Sequence, residues 1–384
     1  MRRTIAPVAR NSVYVLLAVL AIISIAGHFG AWAASSSITL NSSVQISFPT
    51  SMTFDIKAQG VVNITDLRLY YIVDRQNFAS VVSESWLQFS PAKSVDAQWV
   101  WDMQKSPLPP GAQVEYWWTA EDGAGGTAQT DRATVSFEDD RYQWQSITAA
   151  PVTLLWYDGS RAFADALMAA AQQGLHRIEN DTGAMPQGNV RIYIYASQQD
   201  LLSAQLFPPE YQGGVTFTSY NLIAIAVPTD QLAFGLGAVP HELTHWVVGQ
   251  ITFNPYGAGL PIWLDEGLAT YGEGTLRADY QAALDSAIRN DQLISVRSLS
   301  SPFSAQQVYL SYGESNSIVT FLIEEYGKDK MVQLLDVFHR GAGYDEALEQ
   351  VYGFDQDGLE QVWRQSLGIE TAFVPQPEPV LVAG

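Results

Sequence analysis

The sequence predicts a multidomain chain: an all-β sandwich over residues 35–140, then an α+β domain over 141–370 that is mostly helical in its C-terminal half. Three observations predict it. Short runs of alternating apolar and polar residues, separated by turn residues, fill the stretch from about 36 to 140. From about 153 onward strand-like runs alternate with helical stripes, and beyond Pro261 helical periodicity dominates. Cysteine is absent, so no disulfide staples either part, and a hydrophobic content of 47% suits packed globular domains.

Residues 1–34 read as a leader. Arg2, Arg3 and Arg10 precede an uncharged apolar run from Val13 to about Gly27, and Ala31-Trp32-Ala33 fits the small-x-small pattern of a signal-peptidase site. The alternative is an uncleaved membrane anchor, because residues 12–34 contain only His28 as an ionisable interruption. In both readings the arginines stay cytoplasmic and the rest of the chain is extracytoplasmic, secreted or anchored at the outer face of the membrane. Strands are expected at 43–48, 52–58, 62–73, 98–102, 113–120 and 128–137. About seven strands in about 100 residues indicate a sandwich of immunoglobulin or fibronectin III character. Trp86, Trp99, Trp101, Trp117 and Trp118 could form a carbohydrate platform, although core packing is the commoner use of such aromatics.

The stretch 139–146 begins the passage into the second domain. Ser160 can cap a helix whose apolar stripe is Phe163, Leu167, Ala170, Leu175 and Ile178, with Gly183 and Pro186 as stop signals. A strand follows at 190–195, a short helix at 199–206, and either one strand over 215–227 or a hairpin turning at Tyr220-Asn221. Pro240 implies that the next helix starts near Val239 or that a helix from Asp230 is bent there. Pro261 can open another helix, and further helices are expected at 280–289, 306–325, 330–340, 345–351 and 359–366. Residues 371–384 are too proline-rich for helix or core and read as a loose tail.

The chain carries 40 acidic and 20 basic side chains, a net charge of −20. That balance opposes nucleic-acid binding and anionic membrane surfaces, both of which need a basic footprint. A peptide or protein substrate remains compatible with it.

The chemistry concentrates in the run His241-Glu242-Leu243-Thr244-His245, which contains two of the five histidines in the chain. Four residues apart on a helix, His241 and His245 project from one face, and two imidazoles so placed can bind one Zn²⁺. Glu242 lies beside the first imidazole and can reach water at such an ion without ligating it. Two histidines leave room for one further protein ligand and one open position in a catalytic zinc site. Glu266, 21 residues after His245, is placed to return on a second helix. His176 and His339 lie on amphipathic helices and read as structural.

The run at 241–245 together with Trp263-Leu264-Asp265-Glu266-Gly267-Leu268-Ala269-Thr270-Tyr271 resembles the gluzincin zinc metallopeptidases, especially the peptidase MA-like group and, more distantly, the M1 aminopeptidases. The resemblance covers about 155 to 370. It implies a zincin-like metallopeptidase domain in which His241, His245 and Glu266 hold a single Zn²⁺ and Glu242 is the catalytic base. It also implies that the last strand before the motif helix, at 221–227, is the open sheet edge that captures an extended peptide. The segment 312–327 resembles a recurrent downstream helix of the group, which makes Tyr312 the candidate oxyanion donor, with Tyr309 as runner-up. In thermolysin-like relatives a carboxylate stands four residues after the glutamate ligand, where this chain has Thr270; Asp265 and Glu273 are nearby carboxylates without an assigned partner. The Gly-x-Met-Glu-Asn segment with which M1 aminopeptidases hold a free amine is missing, which favours an endopeptidase. The competing reading is a non-catalytic surface binding or adhesion protein with a structural or vestigial zinc site, for which a fourth protein ligand is the expected sign.

Overall fold

The computed structural model describes residues 38–79, 81–206, 213–257 and 259–369. The expected leader at 1–34 and tail at 371–384 lie outside the described residues. No helix among the described residues is long and apolar enough to cross a membrane.

The N-terminal region is β-rich, built from β1 (Thr39–Ser47), β2 (Ser51–Val73), β3 (Ser83–Trp86), β4 (Ala92–Asp102), β5 (Gln113–Asp122), β6 (Thr127–Gln129) and β7 (Ala133–Ser136). The strands expected at 52–58 and 62–73 are one strand of 23 residues, β2. Its first half pairs with β1 and β4 and its second half with β3 and β5, so all seven strands form one hydrogen-bonded network. The pairing shows why Gly60 does not break it. Register shifts lie between Gln59 and Ile64 on the β4 side and between Ile64 and Asp66 on the β5 side. The inward side chains change from Met52, Phe54, Ile56, Ala58 and Ile64 to Leu67 and Leu69. A bulge inserts one residue and exchanges the two faces of a strand, and the passage from even to odd numbers records it.

Trp101 and Trp118 are buried in the core of this region, and Trp99 packs on Phe54 and Tyr71. Trp117 lies under the Arg132 guanidinium and Trp86, which is exposed, under that of Arg68. The five tryptophans therefore do not share one open face.

The second sheet runs in the order β11 (Gly214–Phe217), β12 (Leu222–Ala226), β10 (Val190–Tyr195), β9 (Val152–Trp156), β8 (Gln145–Ala149). Its three middle strands are parallel and both outer strands antiparallel. Along β10 and β12 every second residue faces the helices: Ile192, Ile194, Ile223 and Ile225 join their core. The alternate residues Tyr193, Tyr195, Leu222, Ala224 and Ala226 join the core of the N-terminal strands. A sheet covered on both faces needs near-continuous apolar strands, which Ile192–Tyr195 and Leu222–Ala226 supply. The phenols on that second face are satisfied at the seam: Tyr193 donates to Glu138 (2.8 Å) and Tyr195 to the buried Asp139 (3.2 Å), which also pairs with Arg141 (2.6 Å).

The helices are α1 (Arg161–Thr182), α2 (Gln198–Ser203), α3 (Leu232–Ile251), α4 (Ile262–Glu273), α5 (Ala278–Asn290), α6 (Val296–Leu299), α7 (Val308–Tyr326), α8 (Lys328–His339), α9 (Tyr344–Tyr352) and α10 (Gln356–Ser366). Ser160 caps α1 through the Phe163 N–H at 3.2 Å, and Gly183 ends it with φ of 71°. Pro240 lies inside a continuous α3. The backbone bond it removes would have reached the carbonyl of Leu236, one turn earlier in α3. Between α4 and α7 the backbones nearly touch: a side chain on Gly267 would begin 2.5 Å from the Ser315 carbonyl oxygen. Only glycine allows that approach, and it brings Glu266 and Tyr312 to the same cleft.

Candidate active site

One turn of α3 presents His241 and His245 to one face of α4, which runs antiparallel to it. The two Nε2 atoms lie 3.2 Å apart, and Glu266 Oε2 is 3.4 Å from the first and 3.6 Å from the second. A tetrahedral zinc with ligands at about 2.0–2.1 Å has ligand–ligand separations of roughly 3.3–3.4 Å, so the three atoms match one face of that figure. Glu266 Oε2 is buried and accepts no hydrogen bond, which is costly for a carboxylate unless a cation faces it. Among the described residues this is the one group of three His, Cys, Asp or Glu side chains close enough to share a metal ion. The donor set therefore fits a divalent transition metal, with two imidazoles and one carboxylate as ligands.

The opposite edges of both rings are already engaged. His241 Nδ1 meets Glu273 Oε1 at 2.9 Å and His245 Nδ1 meets Asp265 Oδ1 at 3.1 Å. A carboxylate at Nδ1 holds the proton there and turns the Nε2 lone pair toward the metal position. The two carboxylates without a partner in the sequence thus each have one. Thr270, by contrast, turns its hydroxyl onto the Glu266 and Gly267 carbonyls and supports α4 itself.

Without metal the rings hold protons. Burial lowers the proton affinity of His241, but Glu266 and Glu273 outweigh it and push its pKa up to about 9. Burial likewise works against a charged His245, and Asp265 and Glu266 raise it all the same. Burial would raise the Glu266 pKa, yet both histidines hold it far below the carboxylate range. Metal requires neutral rings, so a metal must displace these protons. Zinc affinity, measured by competition with a chromogenic chelator, is therefore expected to rise with pH through neutrality and on through the His241 pKa of about 9. A flat profile across that window would contradict the charge state described here.

Glu242, Tyr312 and the three donors line one cleft of ≈ 500 Å³. Tyr312 stacks on Tyr280 with centroids 5.1 Å apart and meets Phe303 edge-on, which aims its ring at His241, 6.2 Å away. Burial, reinforced by the Glu266 charge, raises its pKa, so the phenol keeps its proton at neutral pH. Tyr309 is 54% exposed and packs on Tyr280, and it is not among the residues lining the cleft. His176 and His339 are exposed on their helices and take no part in the cluster.

The sheet edge beside the cleft departs from expectation. The segment 221–227 forms β12, which is an inner strand; the edge is β11, folded back on it as an antiparallel hairpin. Of the two readings of 215–227 the structure has the hairpin, turning through Thr218–Tyr220 and Asn221, and it places the four-residue β11 outside β12. Gly214 and Thr216 of β11 line the cleft, and Thr216 donates toward Glu242, contacts that sequence reasoning missed.

Three donors on one face of a tetrahedron, with a carboxylate beside them, form a cluster that fits a metal site of the HExxH type. The family profile of the Peptidase MA superfamily matches residues 170–368, and the chain belongs to that family. This agrees with the resemblance carried by residues 241–245 and 263–271. Among solved structures, the chain is similar to an aminopeptidase A of Legionella pneumophila in complex with aspartic acid, at 10% identity and a TM-score of 0.34, covering 86% of this chain and 49% of that one. It is also similar to an aminopeptidase N family protein of Idiomarina loihiensis, at 10% identity and a TM-score of 0.39, covering 84% of this chain and 74% of that one. The chain thus spans about half the length of the Legionella protein. No curated protein matches the sequence.

Proposed function

We propose that this chain is a zinc-dependent peptidase that cleaves within polypeptides. The observation that carries the reading is the triangle of His241, His245 and Glu266 with Glu242 in the same cleft. Zinc, when bound there, supplies a Lewis acid that polarises the scissile carbonyl and makes water acidic near neutral pH. Glu242 takes a proton from the attacking water and returns it to the leaving amine. The Tyr312 phenol donates to the oxygen on which negative charge develops. Glu273 and Asp265 keep both rings in the ligating tautomer. The free side of β11 receives the substrate as an added strand.

One observation supports cleavage of internal bonds and a second supports a catalytic metal. The acids lining the described cleft are Glu242, Asp265 and Glu266, and each already has a task, so none of them is spare for a terminal amine. No fourth protein donor joins the three among the described residues, which leaves a position for water and speaks against a purely structural metal. The arginines and apolar run of residues 1–34 support an extracytoplasmic location, and the division at about 140 into a β-region and a catalytic part belongs to the same proposal. The seven strands of the N-terminal region support an immunoglobulin or fibronectin III-like origin, whereas the unbroken β2 counts against it.

The test is metal analysis of purified protein combined with digestion of an unfolded protein and of N-acetylated peptides. One zinc per chain, chelator-sensitive cleavage restored by zinc, and undiminished cleavage of blocked peptides are expected. Zinc-independent cleavage would remove the metal mechanism, and cleavage restricted to free N-termini would replace the endopeptidase reading by an exopeptidase.

A further inference from the structure

Glu242 is clamped by the strand beside it. The Thr216 hydroxyl lies 2.7 Å from Glu242 Oε2 and 2.9 Å from the Glu242 carbonyl oxygen. One hydroxyl proton serves one acceptor at a time, but both acceptors belong to Glu242, so either choice ties strand to helix at the same residue. The second carboxylate oxygen faces Gly214, where an added Cβ would come to 2.4 Å from Oε1 and 2.9 Å from Cδ. Residues two apart on a strand share a face, so Gly214 and Thr216 address Glu242 together while Val215 and Phe217 pack into the core shared with the N-terminal strands.

The strand itself is held. Gly214 and Thr216 are in register with Ile225 and Ile223 of β12. At the turn of the hairpin Asn221, with φ of 54°, accepts hydrogen bonds from Trp246 Nε1 (2.9 Å) and Gln250 Nε2 (2.8 Å) on α3. The helix that carries Glu242 and the strand that grips its carboxylate are therefore fastened at both ends of the contact.

We propose that Thr216 is a positioning residue for the Glu242 carboxylate, and that Gly214 is required to leave that carboxylate its place. The proposal rests on the hydrolase reading above, with Glu242 as base. A glutamate side chain has three rotatable torsions, and an unclamped carboxylate spends its time in several orientations. A base displaced by about 1 Å loses on the order of 100-fold in rate, whereas substrate binding through the β11 backbone does not depend on the Thr216 hydroxyl.

Thr216→Val keeps shape and β-branching and removes the hydroxyl. It is expected to lower kcat by about 10- to 100-fold with KM within about threefold of the parent. Thr216→Ser is expected to restore most of the rate, and Gly214→Ala to lower kcat as Thr216→Val does. Zinc content and thermal melting of each variant show that the fold and metal site persist. Crystal structures of metal-free parent and Thr216→Val protein give a readout apart from activity: the carboxylate is expected to leave its place beside β11. The proposal is overturned if Thr216→Val keeps the parental kcat, if its loss falls on KM, if serine fails to restore it, or if the carboxylate stays in place. A parent protein with no zinc-dependent cleavage at all, or an active Glu242→Gln variant, sinks the underlying hydrolase reading instead, and the crystallographic comparison still decides the clamp.

Discussion

Glu242→Gln is expected to keep one zinc per chain and to lose about 10²- to 10⁴-fold in kcat on an N-acetylated peptide. The amide has nearly the shape of the carboxylate, so its oxygen can still accept from Thr216 and the cleft keeps its form. What disappears is the capacity to take a proton from water and deliver it to the leaving nitrogen. Glu242 is not one of the three clustered donors, so metal content should be indifferent to the change. Zinc analysis and steady-state kinetics on the same preparation measure both halves. Turnover within about twofold of the parent would remove Glu242 from the mechanism.

Glu266→Ala is expected to have the opposite signature, loss of the metal itself. Among the described residues the side chain supplies the one carboxylate of the cluster, and its Oε2 lies 3.4 and 3.6 Å from the two Nε2 atoms. Changes one layer further out typically cost about 10- to 100-fold in metal affinity, and removal of a ligand is expected to exceed that. The measurement is zinc affinity together with thermal melting. Zinc should raise the melting temperature of the parent and leave that of the variant nearly unmoved, because a ligand stabilises only a fold it binds. Parental zinc affinity in Glu266→Ala would show that the third donor lies elsewhere.

The clustering of His241, His245 and Glu266 was legible in sequence because its geometry is local. His241 and His245 lie one turn apart on any helix, and Glu266 sits in a helix opened by Pro261. The same locality made α1 readable from Ser160 to Gly183. Pairing between distant segments was not legible. Nothing in the sequence separates Glu273 from Asp265 as partner of a given ring, since the choice follows from the antiparallel crossing of α3 and α4. The expectation for the edge strand failed for a related reason: order along the chain made 221–227 the last strand, whereas the hairpin places 214–217 outside it. The separate strands expected at 52–58 and 62–73 are one, because four partner strands keep β2 extended through Gly60. Thr216 carried no signal at all, because a threonine in a short strand is ordinary until its neighbour is known to be Glu242.

The three middle strands of the five-stranded sheet are covered on both faces. On the side away from the helices, Tyr193, Tyr195, Leu222, Ala224 and Ala226 depend on the N-terminal strands for cover. A shortened chain starting near residue 141 would present that aromatic ladder to solvent and strip Tyr193 and Tyr195 of their acceptors Glu138 and Asp139. The C-terminal, helix-rich half is thus not a portable module. Evolution or engineering that exchanges the front half of this chain has to supply an equivalent apolar roof, or the sheet that bears the β11 clamp loses its support.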